Sequence, residues 1–340
     1  AIPPASPVGL TAVSGDRIVI LKWDVNTEAD LGGYNIYRSE AQGGPYNKIN
    51  PTLILTNSYS DISVTNGSQY YYVITAVDTH SNESFYSNEI LANPQTSSGP
   101  TYVSGAITED TTWALARSPY IITGTVSVNG TADTSVTLTI EPGVEMKFDS
   151  GARLNFGDTG KAVLTAVGTE TNPIIFTANN PTPSPGQWGG ISFFGWTLSN
   201  SIMDHCIIEY GGSNGSGIGI NTSMTIKNSI IRCNSSYGIA IGNSSPAIEN
   251  NTITDNTSYG IHCYYSSDSP TITGNTFSNN GKVIRIGANS IRKMAGNTFQ
   301  NNTTNAIEVI GETISQDATF KNITIPYIIT GTVSVNGTAD

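Results

Sequence analysis

Apolar residues in the second half of the chain fall in short alternating runs that return at a nearly fixed spacing. The runs Ile226–Ile231, Ile248–Ile253 and Ile272–Phe277 start 22 and then 24 residues apart. Each is followed by a second apolar run: Tyr237–Ile241, Tyr259–Cys263 and Val283–Ile286. Asn, Gly and Ser fill the gaps. Short apolar alternations bounded by turn residues predict strands, and a fixed period of about 20–50 residues predicts stacked repeats. No window carries an apolar period of about 3.6 residues, which argues against helical repeats.

Strands one period apart pair in parallel at about 4.8 Å, so equivalent side chains pile into stacks. The pattern predicts one inward stack of Ile207, Ile231, Ile253, Phe277 and Phe299, and another of Ile220, Ile241, Cys263, Ile286 and Val309. His205, Ser229, Asn251, Asn275 and Asn297 fall at a bend, where stacked polar side chains satisfy the backbone and each other. Asn275→Ala is therefore expected to cost more than Asn280→Ala. On these residues the stretch 202–310 resembles the right-handed parallel β-helix of the pectate-lyase-like superfamily. Less regular alternation from Val136 to Phe176 extends the coil upstream, and Tyr102 to Trp113 is expected to cap its first turn. The Gly-x-Trp run around Trp188 reads as packing at a corner rather than as a sugar platform.

Residues 1–93 carry a different pattern, with short strands predicted at Pro7–Ala12, Arg17–Trp23, Gly33–Ser39, Tyr70–Asp78 and Ser84–Ile90. They resemble a fibronectin type III domain, with Trp23 as the tryptophan of the second strand and Tyr70 at the tyrosine-corner position. The expected fold class is all-β: a fibronectin III-like β-sandwich (1–93), a Pro/Ser/Gly linker (94–100) and a right-handed parallel β-helix solenoid (101–325). Residues 326–340 begin a second copy of a long repeat, because Pro119–Asp133 recurs unchanged at Pro326–Asp340, 207 residues on. A solenoid cut there exposes a strand edge. This makes Pro326, Tyr327, Ile328 and Ile329 candidate assembly residues, for further repeats or for head-to-tail docking.

Composition narrows the function. Only 12% of residues are charged and the net charge is −11, which argues against nucleic acid or an anionic membrane surface as partner. No run of about 20 apolar residues is long enough to span a membrane. The chain opens Ala1-Ile2-Pro3 without a Met, as expected of a processed secreted protein or an excised fragment. Three cysteines without Cys-x-x-Cys spacing read as free thiols, Cys263 inward and Cys206 outward, and no metal or other cofactor is expected.

Candidate chemistry is sparse. Gly219, Ala240, His262, Arg285 and Glu308 occupy the same place in successive coils, directly after an inward residue, so they form one outward stack. His262, Arg285 and Glu308 together fit an acidic sugar or acid–base work. Tyr237 and Tyr259 sit in adjacent coils as candidate sugar platforms. The carboxylates Glu209, Glu249 and Asp255 are candidates for a glycosidase set, which needs pairs about 5–9 Å apart. The polygalacturonase and pectate-lyase signatures are missing: Asn-Thr is never followed by Asp, and Arg285-Ile286 is followed by Gly287 rather than Lys. No catalytic residue carries over from that family. Candidate glycosylation sequons include Asn66, Asn82, Asn129, Asn214, Asn221, Asn234, Asn243, Asn256 and Asn301.

The residues favour a secreted or cell-surface structural or adhesive rod that self-associates or stacks on neighbouring repeats. The alternative is a β-helix protein that binds or degrades extracellular polysaccharide.

Overall fold

The computed structural model describes residues 2–95, 99–314, 319–320 and 323–336. The chain divides into two compact units, 1–100 and 101–340. Part of the expected linker and the last four residues of the second repeat copy lie outside the described residues.

The first unit is an antiparallel β-sandwich. One sheet joins Thr11–Gly15, Ile18–Lys22 and Ser58–Asp61; the other joins Asn47–Lys48, Leu31–Ser39, Tyr70–Asp78 and Ile90–Ala92. Val19, Leu21 and Trp23 meet Tyr34, Ile36, Tyr72 and Ile74 in a single core. Trp23 packs edge-on against Tyr34 with centroids 5.1 Å apart. The Tyr70 hydroxyl accepts the Thr65 N–H at 3.0 Å, tying the corner to the strand that follows it.

The second unit is a right-handed parallel β-helix with three faces. One coil contributes Thr225–Lys227, Ile230–Arg232 and Tyr237–Ile241, and each strand pairs in parallel with its equivalent one coil later. Strands this short place one or two side chains inward per face. Ile226, Ile231, Ile239 and Ile241 are all fully buried while their neighbours in sequence point away, as alternation requires. Trp188 is fully buried, stacked on Phe148 at 4.0 Å, and its Nε1–H donates to the Glu209 carbonyl at 2.8 Å.

Several expectations shift. The first inward stack runs Ile208, Ile231, Ile253, Phe277 and Phe299, and Ile207 instead pairs with the half-exposed Ile230. Two adjacent isoleucines satisfy the apolar pattern in either register, and a one-residue slip reverses faces. The same slip affects the bend: Cys206, not His205, donates its N–H to Ser229 Oγ at 3.0 Å. Cys206 is 1% exposed and therefore points inward, not outward. His205 has a left-handed backbone (φ 50°), matching Asn228 and Asn250 in the next coils (φ 49° and 55°). Residues 101–113 are not a separate cap but the first coil itself, pairing in parallel with Tyr120–Val128 and Val136–Ile140.

A second asparagine stack was not expected. In the first, the N–H groups of Ser229, Asn251 and Asn275 each donate to the Oδ1 of the next coil's asparagine at 2.9 Å. In the second, the N–H groups of Asn234, Asn256 and Asn280 do the same toward Asn256, Asn280 and Asn302 at 3.0–3.2 Å. Each amide nitrogen returns to a backbone carbonyl, as Asn280 does to Ile253 at 2.9 Å. Asn280 is fully buried within this stack. It is thus buried and bonded as Asn275 is, and the structure gives no reason for Asn275→Ala to cost more than Asn280→Ala. The residue before each of these asparagines, such as Asp255, Asn279 and Asn301, takes the left-handed conformation that turns the corner.

Candidate functional site

The outward stack on the third face stands in the expected register: Gly219, Ala240, His262, Arg285 and Glu308 are successive neighbours. Its side chains behave differently from an open charge ladder. His262 is 8% exposed because its ring lies flat against Tyr237, with centroids 4.3 Å apart and planes 10° from parallel. Tyr259 and Tyr264 meet the same imidazole edge-on at 5.0 and 4.9 Å. Burial, with the nearby Arg285 adding to it, pulls His262 down to about 4, so the ring is neutral at physiological pH. Its Nδ1 is buried with no hydrogen-bond partner.

Beside the aromatic cluster lies a second knot. Lys282 donates to Glu308 at 2.8 Å and to the Tyr259 hydroxyl at 3.0 Å, and Tyr259 donates to the other Glu308 oxygen at 2.5 Å. The Lys282 ammonium also sits 4.9 Å from the centre of the Tyr259 ring. Hydrogen bonds to Glu308 and Tyr259 push Lys282 up to about 12. Burial pushes Glu308 upward, but the hydrogen bonds from Lys282 and Tyr259 outweigh it and keep the carboxylate ionised. Arg285 donates to the Cys263 carbonyl at 2.9 Å and stays half-exposed.

The sequence reading missed Tyr264 and Tyr265, which are 49% and 52% exposed. They follow directly on Tyr259–Cys263, and their rings lie 6.5 Å apart. Both rings lean over Gly242 of the preceding coil, 3.7 and 3.8 Å from where a Cβ there would stand. Only the doubled tyrosine at a coil end marked them. Of the expected platform residues, Tyr259 is 8% exposed and occupied with Glu308, so it supports the face rather than presenting it. Tyr237 is half-exposed and covers His262.

This arrangement suits binding better than proton transfer. A general base must reach a substrate proton, whereas His262 is sealed under Tyr237 and Glu308 is locked to Lys282. The candidate carboxylates Glu209, Glu249 and Asp255 are not brought together. Glu249 lies on the first face and Glu209 on the second, where Glu209 bonds Thr177 at 2.8 Å and Arg232 at 2.6 Å. Asp255 sits at a corner, accepting from Thr254 at 2.7 Å.

Among the candidate sequons, Asn214, Asn221, Asn243 and Asn301 are exposed, and Asn66, Asn82 and Asn129 are half-buried. Asn234 and Asn256 are 0% and 1% exposed, with both ends of their amides committed to the second asparagine stack. They leave the set, because a glycan there would break the corner.

No helix among the described residues is long and apolar enough to cross a membrane. Among them, Cys206, Cys233 and Cys263 are unpaired thiols, and burial pushes all three above the usual range.

Comparison with known proteins agrees with the coil. Residues 187–325 match the right handed beta helix region family, and residues 105–219 match the pectate-lyase like beta helix domain family. A 93-residue stretch is 48% identical to part of an amylopullulanase from Thermoanaerobacter thermohydrosulfuricus, covering 27% of this chain and 6% of that protein. The amylopullulanase of Thermoanaerobacterium thermosulfurigenes is 42% identical over 91 residues, 5% of its length. Among solved structures, an Fn3-like protein from Clostridium thermocellum is 35% identical over 28% of this chain and 95% of its own, with a TM-score of 0.25. The chain thus spans about one-twentieth of the length of the curated relatives it matches.

Proposed function

We propose that this is an extracellular polysaccharide-binding protein whose β-helix presents an aromatic and cationic face to an acidic glycan. The observation that carries this reading is the exposure of Tyr264 and Tyr265 beside Tyr237, with Lys282 and Arg285 in the next coil along the same face. Flat rings pack against the apolar C–H faces of sugars, and the half-exposed Arg285, whose hydrogen bond is to a backbone carbonyl and not to a carboxylate, suits carboxylate-bearing ones. The likeness to pectate-lyase-like β-helices and to a segment of amylopullulanases supports a carbohydrate-related role over a purely structural rod. The test is retardation of the full chain in gels containing polygalacturonate or alginate, run beside an assay for released reducing ends. We expect retardation without turnover. Migration unaffected by either polymer removes the reading, and turnover makes the protein an enzyme.

A second reading, self-association, rests on one observation. Ile328 and Ile329 are 41% and 51% exposed, whereas Ile121 and Ile122, in the identical first copy, are 5% and 0%. Pro326, Tyr327, Ile328 and Ile329 would then form a sticky coil edge. Sedimentation at rising concentration tests it: a shift to larger species that Ile329→Asp abolishes supports the edge, and a monomer throughout removes it.

A further inference from the structure

The sandwich unit carries an aromatic cleft of its own, far in sequence from the β-helix face. Tyr37, Thr75, Glu83, Ser84, Phe85 and Tyr86 line a cleft of about 280 Å³. Phe85 is 90% exposed and Tyr86 47%. A fully exposed phenylalanine buys no folding energy, since it removes almost no apolar surface from water. Tyr86, by contrast, is held upright: Tyr37 and Tyr46 meet its ring edge-on at centroid distances of 5.3 and 5.4 Å. The cleft therefore pairs one fixed ring with one free ring.

Its polar side is equally prepared. A single oxygen of Glu83, Oε1, accepts from Asn35 at 2.9 Å, from the Tyr37 hydroxyl at 2.7 Å, and from the Thr75 hydroxyl. Three donors on one oxygen fix the carboxylate and leave Oε2 as an oriented acceptor. Glu89 is set in the same way, accepting the Gly43 N–H at 2.8 Å and the Tyr46 hydroxyl. Tyr37 stays protonated, because burial and its bond to Glu83 push it up to about 12. A pair of rings beside fixed acceptors matches a ligand with apolar ring faces and hydroxyl donors at its rim. The charges select further: Glu83 and Glu89 repel carboxylate-bearing sugars, although Lys48, on the strand paired with that of Tyr37, acts on Glu83 as an opposing charge.

We propose that this cleft is a second glycan site, specific for neutral hexose polymers and independent of the β-helix face. The volume lies just below the usual range of ligand pockets, about 300–1,000 Å³, so it holds a sugar unit or two rather than a long chain. Two sites of opposite charge preference on one chain would let it bridge neutral and acidic glycans, with avidity set by simultaneous engagement.

The experiment uses the full chain in affinity gels containing soluble amylopectin or mixed-linkage β-glucan, with polygalacturonate in a parallel gel. The wild type should be retarded by at least one of the neutral polymers. Phe85→Ala, at a position too exposed to disturb folding, should weaken that retardation at least 5-fold, and Glu83→Gln about 3-fold or more. Tyr264→Ala should leave neutral retardation unchanged, which separates this site from the β-helix face. Absence of retardation on both neutral polymers overturns the proposal. So does a Phe85→Ala chain that migrates as the wild type does.

Discussion

Two stacks run along the same coils of the β-helix and obey opposite rules. In the corner stack Asn234, Asn256, Asn280 and Asn302 repeat one residue and one hydrogen-bond pattern through four successive coils. In the outward stack Gly219, Ala240, His262, Arg285 and Glu308 place a different residue in each coil. Buried backbone groups must be paired, so the corner has one solution that recurs. The outer face has no such requirement, so each coil is free to carry something else. Stability is therefore written in what repeats, and recognition in what does not.

The largest effect that tests this comparison lies in the core beside the corner. Ile253→Asp places an unpaired charge between Ile231 and Phe277 and should cost about 4 kcal/mol or more, read from denaturant unfolding. Similar losses for Ile253→Asp and its outward neighbour Thr254→Asp would break the assignment of faces.

The second effect is a pH dependence. His262 titrates near 4 in the fold and near 6.5 unfolded, so its neutral form favours the fold above pH 6.5. As pH falls from about 6.5 to about 4 the unfolded state binds the proton first and stability is lost, by up to about 3 kcal/mol. Acidic groups with lowered values, such as Glu308 and Asp204, also lose stability in acid. The reading is therefore the difference between wild type and His262→Gln, which should shrink by that amount between pH 7 and 4. A constant difference would place His262 in water.

The inner architecture was legible because packing imposes period and alternation. The register failed at Ile207–Ile208, where two isoleucines fit either face, and His205 was misplaced with them. The second asparagine stack was visible in principle, since Asn234, Asn256, Asn280 and Asn302 recur at the coil spacing. The candidate site was legible only in its register. That His262 lies beneath Tyr237, and that Tyr264 and Tyr265 form the exposed part, depends on side-chain directions at a coil end that no repeat constrains.

Smaller effects sharpen the comparison further. Asn275→Ala and Asn280→Ala should each cost about 1–3 kcal/mol and agree within about 1 kcal/mol, because both leave a buried N–H and a carbonyl unpaired. A neutral Asn280→Ala would mean that only one corner matters. Thr254→Asp should stay within about 1 kcal/mol of wild type.

The central claim is that the unrepeated face binds an acidic glycan, and titration calorimetry with oligogalacturonate addresses it most directly. The double variant Tyr264→Ala/Tyr265→Ala, at two half-exposed positions outside the core, should bind at least 10-fold more weakly than wild type while still unfolding in one cooperative transition. Equal affinity in the two chains, or heat of dilution alone from the wild type, would contradict the account.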